Sequence, residues 1–343
     1  MKIFQHTSFC SHPLLCSLNK VIFNTPKKNI KSFYFPLIAL LISVSCIDKN
    51  PPDSPTTAEK QDCGEWNIAF HTWVGSLASA FVFAEVAKAK YGCTIHLILY
   101  EDENEATYKA LENGEIDLVL EDWCNGRWSP WTEKKAFKLV GFNGQEGRIG
   151  MYLHQWMADR YPDITESANL NKYAHLFKTT QSDSLGIWLE GPEEWTSIGN
   201  KLIQANQLNF KLVNLKTEKE LIDAFNLADE NQTAILGYWW TPHFLNAQRS
   251  LVRVNFPEND WSSSALASGK TDYPSIKLMK LASNQLMEYQ SEIVNLITHF
   301  QWSNEDQNQV AAEIEKGTPP SQAAKIWINT NQEKVNTWLK THS

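Results

Sequence analysis

From Trp66 to Trp240 the chain alternates short apolar, β-rich runs with helical stretches, and no other feature of its 343 residues limits the fold as much. Residues 66–70, 94–99 and 116–120 read as strands, with an amphipathic helix over 76–90 and another over 105–113. From about residue 140 the pattern restarts. Strands are expected over 149–153, 185–188, 210–215 and 233–240, with helices over 196–204 and 217–227. Strands that alternate with helices need crossover connections, which give a parallel sheet covered on both faces. After 251–254 the chain is helical, over 284–300, 304–316 and 321–339. That return implies an α/β fold of two Rossmann-like lobes, 63–143 with 250–343 and 144–249. Two crossings near 140–148 and 250–256 would join them across a cleft. The length suits two domains of ordinary size.

The first 46 residues read differently. Lys27, Lys28 and Lys31 precede an apolar run over 33–44 that is too short to span a bilayer and ends at Ser45-Cys46. A small residue before cysteine at that point is similar to a bacterial lipoprotein signal, which would leave Cys46 as the lipidated first residue. The pattern departs from the usual one at Ser43, where a leucine is common. A plain cleaved signal is the alternative. The 30 residues before the apolar run are long for a signal and point to a start further downstream. Residues 47–62, with Pro51, Pro52 and Pro55 among polar neighbours, read as a flexible tether. The protein is therefore expected in the periplasm or cell envelope, anchored by lipid if Cys46 is modified.

Removing residues 1–45, which hold five lysines and no acid, takes the formal charge from −8 to −13. An acidic exported chain is a poor nucleic-acid binder, because that work needs clustered Lys and Arg. Cys63 stands just before the first strand and Cys93 just before the second. If those strands are parallel neighbours, the two thiols meet at one end and can form a disulfide. The nine histidines are scattered and there is no Cys-x-x-Cys, so neither a metal nor a cofactor is expected. No nucleophile–base constellation or glycine-rich phosphate loop appears, which speaks against an enzyme.

Tryptophans gather where strands end. Trp73 follows the first strand, Trp123 follows the third in Glu121-Asp122-Trp123-Cys124, and Tyr238-Trp239-Trp240 closes the run that begins at Thr233. Ligands of open α/β sheets bind beyond the carboxyl ends of strands. Rings there can be core, or they can wall a site for a cation whose charge is spread over methyl groups. Trp239 and Trp240 face opposite sides of a strand, so only one of them can line a given face. Trp302, Trp327 and Trp338 lie at helical spacing and read as packing residues. His243, after Pro242, reads as a helix-start residue, and Asp117 as a group that bonds loop amides.

These stretches resemble the solute-binding proteins of glycine betaine, choline and proline betaine ABC importers, with the type II periplasmic-binding fold. The resemblance covers residues 63–341. It rests on the Trp73 loop, Tyr91-Gly92-Cys93, Gly114-Glu115-Ile116-Asp117-Leu118 leading to Asp122-Trp123, and Gly237-Tyr238-Trp239-Trp240-Thr241-Pro242-His243. Ala323-Ala324-Lys325-Ile326-Trp327-Ile328 and Val335-Asn336-Thr337-Trp338-Leu339 complete it. It implies an aromatic box for a quaternary ammonium head between the lobes. Trp73, Trp123 and Trp240 match the box positions best, and Tyr152 and Trp239 are further candidates. It also implies delivery of the ligand to a permease and its ATPase.

The ligand's other end is expected to face the second lobe. Trp195 lies where the family has a Gly-Trp pair, and amides at the following helix start are suited to a carboxylate. Glu190, Glu193 and Glu194 crowd that segment with negative charge. An inward-pointing one would repel a betaine carboxylate and favour choline; placed outside, they would stabilise the helix start. His71 either borders the ligand or bonds to backbone. Two rival functions remain at this point. One is a ligand-sensing receptor of the same fold; the other is an exported glycan-acting protein that uses paired carboxylates such as Glu121 or Asp122 with Glu190 or Glu194.

Overall fold

Trp66, Ile68 and Ala69 are buried along Glu65–Phe70 (β1), which pairs in parallel with Thr94–Leu99 (β2) from Glu65 opposite Thr94 to Phe70 opposite Leu99. The computed structural model describes residues 63–100, 105–123, 129–180, 182–195, 197–259, 267–289 and 291–340. The proposed export segment and tether, Cys46 and Cys124 lie outside them. The in-register pairing brings the ends of β1 and β2 together, and a disulfide joins Cys63 to Cys93 with a Cα–Cα distance of 4.7 Å.

The connecting helix, Val74–Tyr91, differs from the amphipathic one expected. Val74, Ala78, Val82, Phe83, Ala84, Val86 and Ala87 bury nearly its whole circumference. The reason is its position between the strands and the helices Asn304–Glu315 and Pro320–Thr330, both of which pack on it. Small residues permit that close approach. The helix stops at Gly92, whose backbone is left-handed at φ 75° and whose N–H bonds Lys88 O.

A third parallel strand, Leu118–Asp122 (β3), pairs with β1 and begins two residues later than the sequence suggests. Asp117 stands just before it and accepts from Asn67 N at 2.9 Å and Ser283 Oγ at 3.1 Å, a loop-tying role. The later strands are Lys138–His154 (β4), Gly186–Glu190 (β5), Phe210–Asn214 (β6), Gly237–Thr241 (β7), Leu251–Arg253 (β8) and Ser275–Ala282 (β9). All nine strands form one sheet in the order β2-β1-β3-β9-β4-β7-β5-β6, with β8 alongside β4.

This sheet is mixed. The β1–β2, β1–β3, β5–β6 and β5–β7 pairs are parallel, while β9 runs antiparallel to β3 and β4, and β4 antiparallel to β7 and β8. Two parallel groups thus flank an antiparallel centre. The 17-residue β4 and β9 form that centre: residues 138–148 of β4 pair with β9, which pairs with β3 of the first group, and residues 148–154 pair with β7 of the second group and with β8. Neither β9 nor the first half of β4 is expected from the sequence. The expected strand over 233–240 shrinks to residues 237–241, and the expected helix over 284–300 divides into Asn284–Glu288 and Glu292–His299. Trp302, Trp327 and Trp338 are buried against one another, with ring centroids 5.5 and 5.9 Å apart. No helix among the described residues is long and apolar enough to cross a membrane.

Candidate ligand-binding site

Trp73 stands at the N-cap of the first helix, where its extended backbone turns the chain out of β1. Its indole N–H donates to Glu121 Oε1 at 2.8 Å. Trp123, just beyond β3, donates to that same oxygen, also at 2.8 Å. Because β1 and β3 are parallel neighbours, their carboxyl ends bring the two rings to one carboxylate. The other oxygen of Glu121 accepts from Ser79 Oγ at 3.0 Å and from Gln307 Nε2. Burial raises the Glu121 pKa, and the four hydrogen bonds work against that rise. His71 lies flat against Trp73, with centroids 4.9 Å apart, and its Nδ1 is 3.2 Å from Tyr100 O.

The Trp123 ring rests on Gly147 of β4. A Cβ at that position would lie 2.5 Å from the ring, so only glycine leaves room. Register then places the second group of rings. Ile149 pairs with Trp240 and Met151 with Tyr238, and paired residues share a face, as do residues two apart on one strand. Trp123 and Trp240 therefore occupy the same face of β4. Trp195 meets Trp240 edge-on at 5.1 Å and Tyr238 at 6.0 Å, and Tyr273 meets Tyr238 at 6.1 Å.

Trp239 and Tyr152, the further candidates, alternate with Tyr238, Trp240 and Met151 along their strands, while the Trp239 ring lies 5.2 Å from that of Trp240 and 4.4 Å from that of His243. Trp239 is wholly buried, packs on Phe225 at 4.8 Å and donates to Asn246 Oδ1 at 2.9 Å. Tyr152 sits among Arg253, Arg148 and Thr241; burial raises its pKa, and the two arginines oppose that rise. The segment after β5 departs from expectation. Its helix begins only at Gly199, and Trp195 folds back over Gly191. Glu193 and Glu194 are exposed, but Glu190 is buried, accepts from Trp188 Nε1 at 3.2 Å, and has its pKa pushed up to about 7 by desolvation.

Glu218, at the start of the helix Glu218–Glu230, carries no signal in the sequence beyond a helix-start acid. Its Oε2 accepts from Val74 N at 3.0 Å, directly after Trp73. Its Oε1 pairs with His243 Nε2 at 3.0 Å. Leu245 N donates to His243 Nδ1, so the ring proton sits on Nε2 and points at Glu218. His243 thus starts the short helix Leu245–Gln248, as expected, and also packs beside Trp240 at 4.8 Å. Val74, Glu218, His243 and Trp240 form a continuous path from the β1 side to the β7 side. Among the described residues no group of three or more His, Cys, Asp or Glu side chains is placed to hold a metal ion.

The sheet order is that of the type II periplasmic-binding fold. Residues 65–330 match the family model described as the substrate binding domain of ABC-type glycine betaine transport system, and the chain belongs to that family. Among solved structures, lactococcal OpuAC in its closed, glycine betaine-bound form aligns with a TM-score of 0.60 and 19% identity. That alignment covers 81% of this chain and 100% of the other. A choline-binding protein of an ABC transporter, in complex with choline, gives 0.62 and 17%, over 80% and 91%. The glycine betaine/carnitine transport binding protein GbuC of Listeria monocytogenes serotype 1/2a (strain 10403S) is 25% identical over 112 residues, a third of either chain.

Proposed function

We propose that this protein captures a quaternary ammonium compound, such as choline or glycine betaine, in an aromatic cage and delivers it to the permease and ATPase of an ABC importer outside the cytoplasm. Trp73, Trp123 and Trp240 form the cage, Trp195 and Tyr238 extend it, and His71 backs Trp73. The observation that carries this reading is the convergence of Trp73 and Trp123 on one buried carboxylate, with Trp123 and Trp240 on one face of β4. Rings so fixed present their faces to a methylated cation, each contributing about 0.5–2 kcal/mol when water is excluded. Micromolar affinity needs roughly 8 kcal/mol, so three or four rings supply a large share. Family membership and the ligands of the relatives point the same way.

The experiment is calorimetric titration of residues 63–343 with choline, glycine betaine, carnitine, proline and a short glucan, with tryptophan fluorescence followed in parallel. Micromolar binding of a methylated ammonium with a fluorescence change is expected, and Trp123→Ala or Trp73→Ala should weaken it at least about tenfold. Binding of the glucan alone, or of nothing, defeats the reading.

A further inference from the structure

Glu121 ends β3 as a buried acid with an unusual set of neighbours. Oε1 receives two indole N–H groups, from Trp73 and Trp123, and Oε2 receives the Gln307 amide and the Ser79 hydroxyl. The orientation of Gln307 is fixed separately, because its Nε2 also lies 3.0 Å from Gly75 O, a carbonyl that only a donor can approach. Three of the four partners are therefore pure donors with no lone pair to offer, and a protonated carboxyl would turn its hydrogen toward one of them or toward Ser79 alone. Such a donor set favours the ionised form, in opposition to burial. All four partners are neutral, so none of them cancels the charge.

We infer that Glu121 is a specificity-determining residue: its buried carboxylate, held behind Trp73 and Trp123, selects cationic ligands over neutral ligands of the same shape. The inference rests on the cage reading above. Rings alone distinguish a trimethylammonium from a tert-butyl group only through their quadrupoles. A fixed anion on the N–H edges of two rings adds a direct attraction and draws electron density onto the ring faces. A unit charge about 7 Å away at an effective dielectric near 20 changes affinity by roughly 10- to 100-fold. Glu121 acts through the rings rather than by touching the ligand, and its hydrogen bonds also set their tilt, so the test has to separate charge from geometry.

Glu121→Gln does this at the rings, since the Gln carbonyl oxygen can still receive both indoles while the charge is gone; its amide then faces Gln307 Nε2, another donor, so Gln307→Met serves as the control for that lost contact. Calorimetric titration would compare choline with the neutral alcohol in which a tert-butyl group replaces the trimethylammonium. The wild-type protein is expected to prefer choline by at least about tenfold. In E121Q choline affinity should fall roughly 10- to 100-fold, while the neutral alcohol changes by less than about threefold, so that the ratio collapses. Ser79→Ala removes one hydrogen bond but not the charge, and should keep the wild-type ratio. A ratio that survives in E121Q overturns the inference and leaves the cage standing; equal wild-type affinities defeat both, since the rings too should favour the cation. Failure of the wild type to bind any methylated ammonium overturns both. If E121Q does not fold, Gln307→Lys replaces it: an ammonium beside Glu121 Oε2 offsets the charge while the indole contacts stay, and the choline preference should collapse likewise; an unchanged ratio overturns the inference.

Discussion

Gly147 shows how little freedom single positions leave around the rings. Its missing Cβ is the space that Trp123 occupies, 2.5 Å from where that carbon would be. Gly147→Ala should push the ring off Glu121 and weaken ligand binding by roughly 5- to 50-fold, with only a modest loss of stability, because overpacking of this kind costs about 1–3 kcal/mol. Titration beside near-ultraviolet circular dichroism would show it; unchanged affinity would mean that Trp123 is not a wall of the site. Glu190 makes a different prediction. Burial lifts its pKa to about 7 from 4.5, so between those values the folded protein holds a proton that the unfolded chain has released. Stability therefore falls as pH rises from about 4.5 to 7, by up to about 3 kcal/mol from this group. Glu190→Gln should flatten that slope and raise the melting temperature above pH 7 in a thermal scan; an unchanged slope refutes the assignment. The position of Trp73 and Trp123 just past β1 and β3 was legible in the sequence because each ring follows an apolar, β-rich run. Glu121 and Glu218 were not, since their meaning lies in partners far along the chain, such as Gln307 and Val74.

The elements that sequence pattern exposes are those with a clean period. β1, β2 and the helix Glu105–Asn113 alternate or repeat as their surroundings require. β4 hides because Gly141, Gly144 and Gly147 interrupt its first half, and its register with β9 shifts between Phe142 and Glu146. β9 hides because a lysine stands where an apolar residue would mark the buried face. Lys280 is buried nonetheless, and its ammonium donates to Ile297 O, Thr298 O and Phe300 O at 2.8, 3.0 and 2.7 Å. It thereby caps the carboxyl end of the helix Glu292–His299, where backbone carbonyls lack partners and the helix dipole favours a cation. Burial pushes its pKa down to about 8, while the three carbonyls favour the charged form. Lys280→Met keeps the apolar stem but strips those carbonyls of their donor. It should cost about 2–4 kcal/mol and lower the melting temperature by roughly 5–10 °C. A melting curve within a degree or two of wild type would show that the cap adds nothing.

At the scale of the molecule, the two parallel groups of strands are bridged by β9 and β4 and are tied again at a second place. Val74 opens the first helix of one group and Glu218 opens a helix of the other, and the hydrogen bond between them lies directly beside Trp73. His243 extends the tie to Trp240. Glu315, from the helix Asn304–Glu315, has its pKa raised by burial and then by the charge of Glu218, so a third element converges there. If the lobes proposed at 63–143 with 250–343 and 144–249 close about β4 and the return segment, this contact exists only in the closed state. A contact confined to one state shifts the equilibrium by its own free energy. Breaking a buried, charge-assisted hydrogen bond of this kind costs about 1.5–3 kcal/mol, which corresponds to roughly 10- to 100-fold in the closed-to-open ratio. Glu218→Ala should therefore weaken the ligand chiefly by speeding its dissociation. Small-angle scattering of the ligand-free variant should give a larger radius of gyration than wild type. Stopped-flow fluorescence separates the two rates: a slower association with unchanged dissociation would show that Glu218 guides entry and does not hold the closed form.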